Sequence, residues 1–209
     1  MLQQLIYPLV RRAKIYNYIQ QSVGSDRVWK GFIKEVAQLI DNWNDDEIWL
    51  DLGSGTSEVL EHLPTNIRYY GIDNNPKYIQ FAKEKYHNRP NTTFHCGNWN
   101  EFDSTSFTAK TRIVSALGLL HHLSDEDAQR LLLLGKRWLA PTGTLITLDG
   151  CREINRSRLE EFFYWIDRGQ FIRNPDSLCA LFPSQPTISI HGDWLRVPYR
   201  YALCRWTKS

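Results

Sequence analysis

The chain has 209 residues, which suits one domain with a substantial core, because a domain of this size buries roughly 70% of the surface that its unfolded chain exposes. Its formal net charge of +2, with acidic and basic residues mixed along most of the sequence, gives no sign of a polyanionic partner such as nucleic acid. The four cysteines have no CxxC spacing, and no apolar leader or run of about 18 apolar residues occurs, so we expect a soluble, reduced, cytoplasmic protein.

The N-terminal segment, residues 1–23, differs in composition from the rest of the chain. Three basic residues, Arg11, Arg12 and Lys14, lie among apolar residues at helical spacing. These apolar residues are Leu2, Leu5, Ile6, Leu9, Val10, Ile15, Tyr16 and Ile19. The pattern predicts an amphipathic helix or helix pair that ends at Gly24, and that either packs across the domain or presents a basic face to a membrane surface or a partner.

After a second predicted helix over Asp26–Ile40 and a polar turn over Asp41–Asp46, strands and helices alternate regularly. This alternation favours a parallel sheet with helices on both faces. The five predicted strands are Ile48–Leu52, Tyr69–Asp73, Thr93–Cys96, Ile113–Leu117 and Thr144–Leu148. The predicted helices between them are Ser57–Leu63, Pro76–Tyr86 and Asp125–Leu139, the last entered through Ser124-Asp125-Glu126-Asp127, which resembles a capping box.

The last third of the chain follows a different pattern. Helices are predicted over Asn155–Arg168 and Pro175–Leu181, the second with Asn174 as its cap. Two β-rich runs follow, Thr187–His191 and Tyr199–Trp206, which should pair antiparallel at the edge of the sheet. Because no repeat or low-complexity linker divides the chain, we predict one domain over 1–209.

The most informative segment is Ile48–Thr56, an apolar strand that breaks into a glycine turn. Gly53 and Gly55 lack side chains, so backbone amides can approach a ligand closely there. Such a turn is typical of sites for nucleoside-containing cofactors. A dinucleotide-binding dehydrogenase would need a third glycine three residues after Gly55, and that position is Glu58.

Two carboxylates accompany the turn. Asp51 precedes Gly53 by two residues, where it would accept a hydrogen bond from an ammonium group or orient the turn itself. Asp73 follows Gly53 by twenty residues, the spacing at which a carboxylate binds ribose hydroxyls. One carboxylate for an amino acid and one for a ribose fit S-adenosylmethionine.

From the first strand onward the sequence resembles the class I S-adenosylmethionine-dependent methyltransferases. The matching pieces, in order, are Asp51-Leu-Gly-Ser-Gly-Thr, Gly71-Ile-Asp73, Gly97-Asn98, Ala116-Leu-Gly-Leu-Leu-His-His-Leu123 and Leu139-Ala-Pro-Thr-Gly-Thr-Leu-Ile-Thr-Leu-Asp149. Further segments resemble a narrower bacterial group of small-molecule methyltransferases associated with surface-polysaccharide pathways: Asp167–Arg173, Arg196–Tyr199, and Tyr16 with Gly24.

The resemblance implies a cofactor site at the turn and at the ends of the neighbouring strands. Its residues would be Asp51, Gly53, Ser54, Gly55, Asp73, Asn74, Tyr78, Asn98, Trp99, Leu117 and Gly118. Trp99 would stack on the adenine or pack in the core, and Tyr78 would lie along the ribose or pack in the core. Ser57 replaces a third glycine of the family's turn, and Asn98 replaces an aspartate that contacts the adenine amine. A serine tolerates the turn if its φ stays negative, and an asparagine carbonyl can still accept from the amine, so we expect the cofactor affinity to be somewhat lower.

The candidates for catalysis follow the fourth and fifth strands. His121 and His122 lie at the carboxyl edge of the sheet, where ligands of open α/β folds bind. A hydroxyl acceptor needs a base, and the candidates are His122, His121 and Asp149, in that order. The alternatives are a packing role for the histidines and a role in capping the cover helices for Asp149. A zinc site is not favoured, because no further ligand lies at a suitable spacing.

The resemblance also implies acceptor-binding residues, namely Tyr16, Arg168, Arg173 and Tyr199. The planar fork of arginine suits an anionic or sugar-like acceptor. The alternative for Arg168 and Arg173 is an ion-pair network with Asp167 that fixes the fold of the cover.

We therefore predict a Rossmann-like, doubly wound α/β domain with seven strands, the last pair antiparallel, an N-terminal helical segment (1–45) and a helical cover (151–184). Its predicted function is methyl transfer from S-adenosylmethionine to an oxygen or nitrogen of a small molecule, such as a sugar or polysaccharide precursor. A nucleic-acid methyltransferase and a non-catalytic S-adenosylmethionine-binding module are the alternatives. No metal or nucleic acid is expected, and the sequence names neither the acceptor nor the oligomeric state.

Overall fold

Seven strands form one sheet in the computed structural model, which describes residues 25–102, 107, 109–153, 157–167 and 169–208. The strands are β1 (Ile48–Leu52), β2 (Arg68–Asp73), β3 (Thr92–Cys96), β4 (Thr111–Leu117), β5 (Thr144–Gly150), β6 (Thr187–His191) and β7 (Tyr201–Thr207). Their spatial order is β3-β2-β1-β4-β5-β7-β6. Strands β1 to β5 are parallel, and β7 is antiparallel to both β5 and β6. The predicted fold class is confirmed.

Five α-helices accompany the sheet in the described part of the chain. They are α1 (Ser25–Ile40), α2 (Pro76–Lys85), α3 (Asp125–Trp138), α4 (Arg158–Ile166) and α5 (Pro175–Cys179). Three single-turn 3-10 helices cover Glu58–Glu61, Trp99–Glu101 and Leu120–His122. The predicted N-terminal helix lies outside the described residues, as do Tyr16, Arg168 and the predicted first residue of the α4 helix, Asn155. None of the helices described is long and apolar enough to cross a membrane.

Polar caps fix the starts of the helices near the site. The Ser124 hydroxyl caps α3 by accepting from the Asp127 amide at 3.2 Å, and it donates to the Asp127 carboxylate at 2.9 Å. A reciprocal capping box forms at α4, where Ser157 and Glu160 each bond the other's backbone amide. Asn174 caps α5 as predicted.

The segment after the glycine turn differs from its prediction. Ser57 has a φ of +56°, so the condition that its φ stays negative is not met, and a residue in this left-handed conformation does not continue into an α-helix. The predicted α-helix over Ser57–Leu63 is therefore replaced by the 3-10 turn Glu58–Glu61. The Ser57 hydroxyl donates to the Ser54 carbonyl at 3.4 Å and accepts from the Tyr69 hydroxyl at 3.3 Å, contacts that help to offset the backbone strain.

The core lies on both faces of the sheet. On one face α1 packs Phe32 and Val36 in a cluster with Trp49 of β1. On the other face α3 packs Leu131 in a cluster with Leu50. Alternate residues of β1 point to opposite faces, and both faces are covered, so the whole strand is buried. The carboxyl end of β1 therefore leads directly from the core into the glycine turn.

Candidate functional site

A cleft of about 450 Å³ opens where the loops after β1, β2 and β4 meet, a volume within the usual range for ligand sites. Ten of the eleven predicted cofactor residues line it: Asp51, Gly53, Ser54, Gly55, Asp73, Asn74, Tyr78, Trp99, Leu117 and Gly118. Asn98 does not line the cleft, because its side chain caps the 3-10 turn after β3 by accepting from the Asn100 amide at 3.5 Å.

The glycine turn has the backbone conformation that its glycines permit. Gly53 and Gly55 have φ values of +68° and +54°. A Cβ at Gly53 would lie 2.7 Å from the Leu119 side chain, whereas a Cβ at Gly55 would meet no atom within 4 Å. The Asp73 carboxylate accepts from the amides of Gly55 at 2.9 Å and Asn75 at 2.8 Å. Asp73 therefore ties the turn after β1 to the start of α2.

Asp51 lies beneath the turn in a buried hydrogen-bond chain that joins three strands. Its carboxylate accepts from the hydroxyls of Tyr69 and Ser115, both at 2.6 Å, and Ser115 accepts from the Trp49 indole at 2.7 Å. Burial raises the pKa of Asp51 to about 6, although both hydroxyls lower it. The carboxylate thus orients the strands and also lines the cleft.

The lining of the cleft is acidic. Asp51, Glu58 and Asp73 contribute carboxylates, and among the described residues the lining includes no lysine or arginine. Burial is the largest influence on all three carboxyl groups and raises each pKa. A buried negative charge is stabilised by a nearby cation, so the cleft favours a ligand that carries positive charge.

The histidine loop, Gly118–Leu123, connects β4 to α3 and brings the three candidate bases together. His122 lines the cleft. His121 turns away from the cleft, with its Nδ1 at 2.9 Å from Asp149 Oδ1 and its Nε2 at 3.7 Å from Asp167 Oδ1. The two imidazole rings lie against each other with centroids 4.1 Å apart. The arrangement places His122 on the wall of the cleft and His121 behind it.

Asp149 acts on His121 and does not line the cleft. It belongs to β5, which continues two residues beyond its predicted end, and it pairs with Ala202 of β7. Its side chain is 1% exposed, and Oδ2 has no hydrogen-bond partner among the described residues. Burial raises the pKa of Asp149, while the contacts with His121 lower it. The carboxylate orients His121 and does not cap a cover helix.

Arg173 supports the histidine loop from below. Its buried guanidinium donates to four groups: the carbonyls of Leu120 and Leu123, each at 2.7 Å, the carbonyl of Phe171 at 3.1 Å, and the carboxylate of Asp125 at 2.8 Å. Tyr199 donates to the Asp167 carboxylate. Neither residue lines the cleft, and the predicted network of Asp167 with Arg173 is replaced by the pair with Asp125.

Sequence reasoning missed several residues of the cleft wall. Trp29 of α1 lines the cleft, and its indole lies 3.5 Å from the Glu58 carboxylate. No local signal distinguishes Trp29 from the other apolar residues of its helix. Glu58 could have been predicted to line the cleft, because it comes directly after the turn. Leu119 and Leu123 could not, because nothing in the sequence distinguishes them from other leucines of a loop.

Comparison with known proteins agrees with this architecture. Residues 50–143 match the model of a methyltransferase domain, which spans the turn, Asp73 and the histidine loop. A curated relative, the phosphoethanolamine N-methyltransferase of Plasmodium falciparum (isolate 3D7), is 23% identical over 166 residues. The alignment includes 76% of this chain and 59% of the relative, so the chain spans somewhat more than half of that protein's length.

Two solved structures have a similar backbone. The geranyl diphosphate C-methyltransferase from Streptomyces coelicolor A3(2), in complex with Mg²⁺, geranyl diphosphate and S-adenosyl-L-homocysteine, has a TM-score of 0.64 and 11% identity, over 86% of this chain and 80% of that chain. The pyocyanin biosynthetic protein PhzM has a TM-score of 0.68 and 13% identity, over 97% of this chain and 61% of that chain. The chain thus has the Rossmann-like fold of methyltransferases, with the match to a methyltransferase domain over residues 50–143.

Proposed function

We propose that the chain binds S-adenosylmethionine in the acidic cleft and transfers its methyl group to a small-molecule acceptor. The observation that carries the proposal is the cleft at the glycine turn, where Asp51 and Asp73 lie within a lining that includes no lysine or arginine among the described residues. The match to a methyltransferase domain and the bound S-adenosyl-L-homocysteine of a structural neighbour support it.

The residues of the cleft fit this cofactor. The Asp73 carboxylate accepts one backbone amide on each oxygen, which leaves lone pairs for two ribose hydroxyls. The open space at Gly55 allows a ligand to reach the backbone. Asp51 and Glu58 supply negative charge for a cationic ligand, and the rings of Tyr78 and Trp99 offer surfaces for the nucleoside.

When bound, S-adenosylmethionine supplies a methyl group on a positively charged sulfur. The chain itself must hold the acceptor in line with that group, and such alignment supplies several kcal/mol. For a hydroxyl acceptor we assign His122 as the base, because it is the one candidate of the three that lines the cleft. His121 and Asp149 then act as a pair that holds the loop and the His122 ring in place.

The proposed acceptor is a small molecule with a hydroxyl or amine, such as a sugar of a polysaccharide precursor. The relatives named above act on phosphoethanolamine and geranyl diphosphate, which are both small molecules. The sugar class rests on the resemblance of Asp167–Arg173 and Arg196–Tyr199 to the polysaccharide-associated group. Nucleic acid is disfavoured because the cleft is acidic and the net charge is only +2.

Calorimetry with S-adenosylmethionine, S-adenosylhomocysteine and NAD in parallel tests the cofactor. Asp73→Ala tests the site, and Asp45→Asn, at an exposed aspartate in the turn before β1, is the matched control. Preference for NAD would overturn the proposal. A screen of acceptors, including sugars and lipid-linked sugars, with release of S-adenosylhomocysteine as the readout, tests turnover. Tight cofactor binding without turnover on any acceptor would favour the non-catalytic module instead.

A further inference from the structure

The segment that follows α4 closes on the imidazole ring of His121. The Asp167 carboxylate lies 3.7 Å from His121 Nε2. The Phe171 amide donates to the His121 carbonyl at 2.9 Å. A Cβ added at Gly169 would overlap the His121 ring, so a glycine at this position leaves room for the ring where a larger residue would displace it. We call Asp167, Gly169 and Phe171 the clamp.

Both carboxylate oxygens of Asp167 are bonded within the chain. Oδ1 accepts from the Gly169 amide at 2.7 Å, and Oδ2 accepts from the Tyr199 hydroxyl. Tyr199 is buried two residues before β7, and its hydroxyl lies so close to Gly150 of β5 that a Cβ there would overlap it. The sheet therefore fixes Tyr199, and Tyr199 in turn holds the Asp167 carboxylate in its place beside His121.

Each ring nitrogen of His121 faces a different carboxylate. Nδ1 lies 2.9 Å from Asp149 Oδ1, and Nε2 lies 3.7 Å from Asp167 Oδ1. An ionised carboxylate can only accept hydrogen bonds, and a neutral imidazole has one N–H and one bare lone pair. A neutral His121 would therefore direct a lone pair at one of the two carboxylates. An imidazolium presents an N–H to both, and its charge is attracted by both.

The groups around His121 also favour the protonated ring. Asp149 is 1% exposed, and an ionised carboxylate so deeply buried is stabilised by an adjacent cation. The proton of such a pair resides on the imidazole, which is the stronger base. Among the other described groups, Tyr199 stays neutral because burial raises its pKa well above the ordinary value, and the Arg173 guanidinium is paired with a carboxylate of α3. The ring of His122, 4.1 Å away between centroids, is neutral when it serves as a base.

A ring that is held at both nitrogens has one fixed orientation, and His122 lies against that ring while lining the cleft. We propose that Asp167 is a positioning residue: together with Asp149 it holds His121 as an imidazolium in one orientation, and His121 in turn orients His122 toward the acceptor. The role of His122 rests on the proposed function, whereas the charge of His121 does not. Asp167 therefore acts through the histidine loop and not through contact with the acceptor.

Nitrogen-15 NMR of the histidine side chains in the full chain measures the charge of His121, because the two nitrogens of an imidazolium resonate close together and those of a neutral ring far apart. His121→Gln identifies the signal. At pH 7.5 an ordinary histidine is roughly 90% neutral, whereas His121 should be mostly protonated. Asp167→Asn should lower the midpoint of its titration by about one pH unit, and the control Asp45→Asn, at an exposed aspartate, should leave the midpoint unchanged. A wild-type His121 that is mostly neutral at pH 7.5 would overturn the proposal.

Turnover measurements test the positioning itself. Asp167→Asn should lower kcat by about 10- to 100-fold, with affinity for S-adenosylhomocysteine within about twofold of the wild type. Asp167→Glu, which keeps the charge, should recover part of the loss in kcat. An unchanged kcat in a folded Asp167→Asn variant would overturn the positioning role. The wild-type spectrum needs neither an Asp167 variant nor an acceptor, so a neutral His121 would refute this inference and leave the proposed function intact. Absence of turnover on every acceptor would refute the proposed function and leave a protonated His121 standing.

Discussion

Replacing Asp51 with asparagine should stabilise the free protein and weaken its cofactor site. Burial raises the pKa of Asp51 from the ordinary 3.8 to about 6, so the ionised carboxylate destabilises the fold at neutral pH. The difference corresponds to about 3 kcal/mol. An asparagine at this position would keep a neutral, similarly shaped side chain against the hydroxyls of Tyr69 and Ser115. Asp51→Asn should therefore raise the free energy of unfolding by up to about 3 kcal/mol at pH 7.5.

The contribution of Asp51 to the free energy of unfolding should decrease as the pH rises. Between pH 4 and pH 6 the folded protein keeps a proton on Asp51 that the unfolded chain has already released. The contribution of this group to the free energy of unfolding therefore falls as the pH rises through that window. The difference between variant and wild type should be small near pH 4 and reach its full size above pH 6, which urea unfolding at several pH values measures.

Cofactor binding should change in the opposite direction. The ionised carboxylate favours a cationic ligand, and a hydrogen bond to a charged group contributes about 1.5–3 kcal/mol, so Asp51→Asn should weaken S-adenosylmethionine binding by about 10- to 100-fold at pH 7.5. Calorimetry at pH 5 and pH 7.5 should show weaker wild-type binding at the lower pH, with a smaller difference in the variant.

The control is Asp45→Asn, which neutralises an exposed aspartate of the turn before β1 and should change neither quantity by more than about 0.5 kcal/mol. If Asp51→Asn destabilised the free protein at pH 7.5, or if its effect did not grow between pH 4 and pH 6, the assignment of Asp51 as a destabilised functional carboxylate would be refuted.

Four further variants test the site and its support. Asp73→Ala should lower affinity for S-adenosylhomocysteine by at least about 100-fold in calorimetry, because two ribose hydroxyls lose a charged partner; a loss below tenfold would contradict its role. His122→Ala should lower kcat by about 10²- to 10⁴-fold with cofactor affinity near that of the wild type, and normal turnover would refute the assignment of His122 as the base. Ser57→Gly should raise the free energy of unfolding by about 0.5–1 kcal/mol, since glycine adopts a φ of +56° without strain; a decrease would show that the hydroxyl contacts dominate. Arg173→Met should lower that free energy by about 3 kcal/mol in urea unfolding by leaving loop carbonyls unpaired, while cofactor affinity in the folded variant is retained.

The strands and most helices were predictable because their signals are local. Every predicted strand end lies within two residues of its observed position, since buried apolar runs and turn residues mark both ends. The prediction of an α-helix after the glycine turn was wrong because of a contact with a residue distant in the sequence. Its apolar spacing fits a helix, but Ser57 adopts a positive φ in contact with Tyr69, twelve residues away on β2.

The same distinction applies to the site. Asp51, Gly53, Gly55 and Asp73 were predictable because a strand followed by a tight turn fixes where its residues point. The surroundings of Arg173 were not, since its partners Leu120 and Leu123 are about fifty residues away along the chain. An arginine in a late segment has the same sequence signature whether it binds an acceptor or supports a loop.

The position of β7 affects how readily the protein would aggregate if the edge of the sheet came apart. Among the described residues β6 pairs with β7 alone, and β7 joins it to β5. Any disturbance that detaches β7 therefore removes β6 as well and uncovers the long edge of β5, all seven residues of which are buried in the intact sheet. An apolar strand edge of that length is a template for pairing with other chains. The packing of β7 is thus a safeguard against aggregation as well as part of the fold.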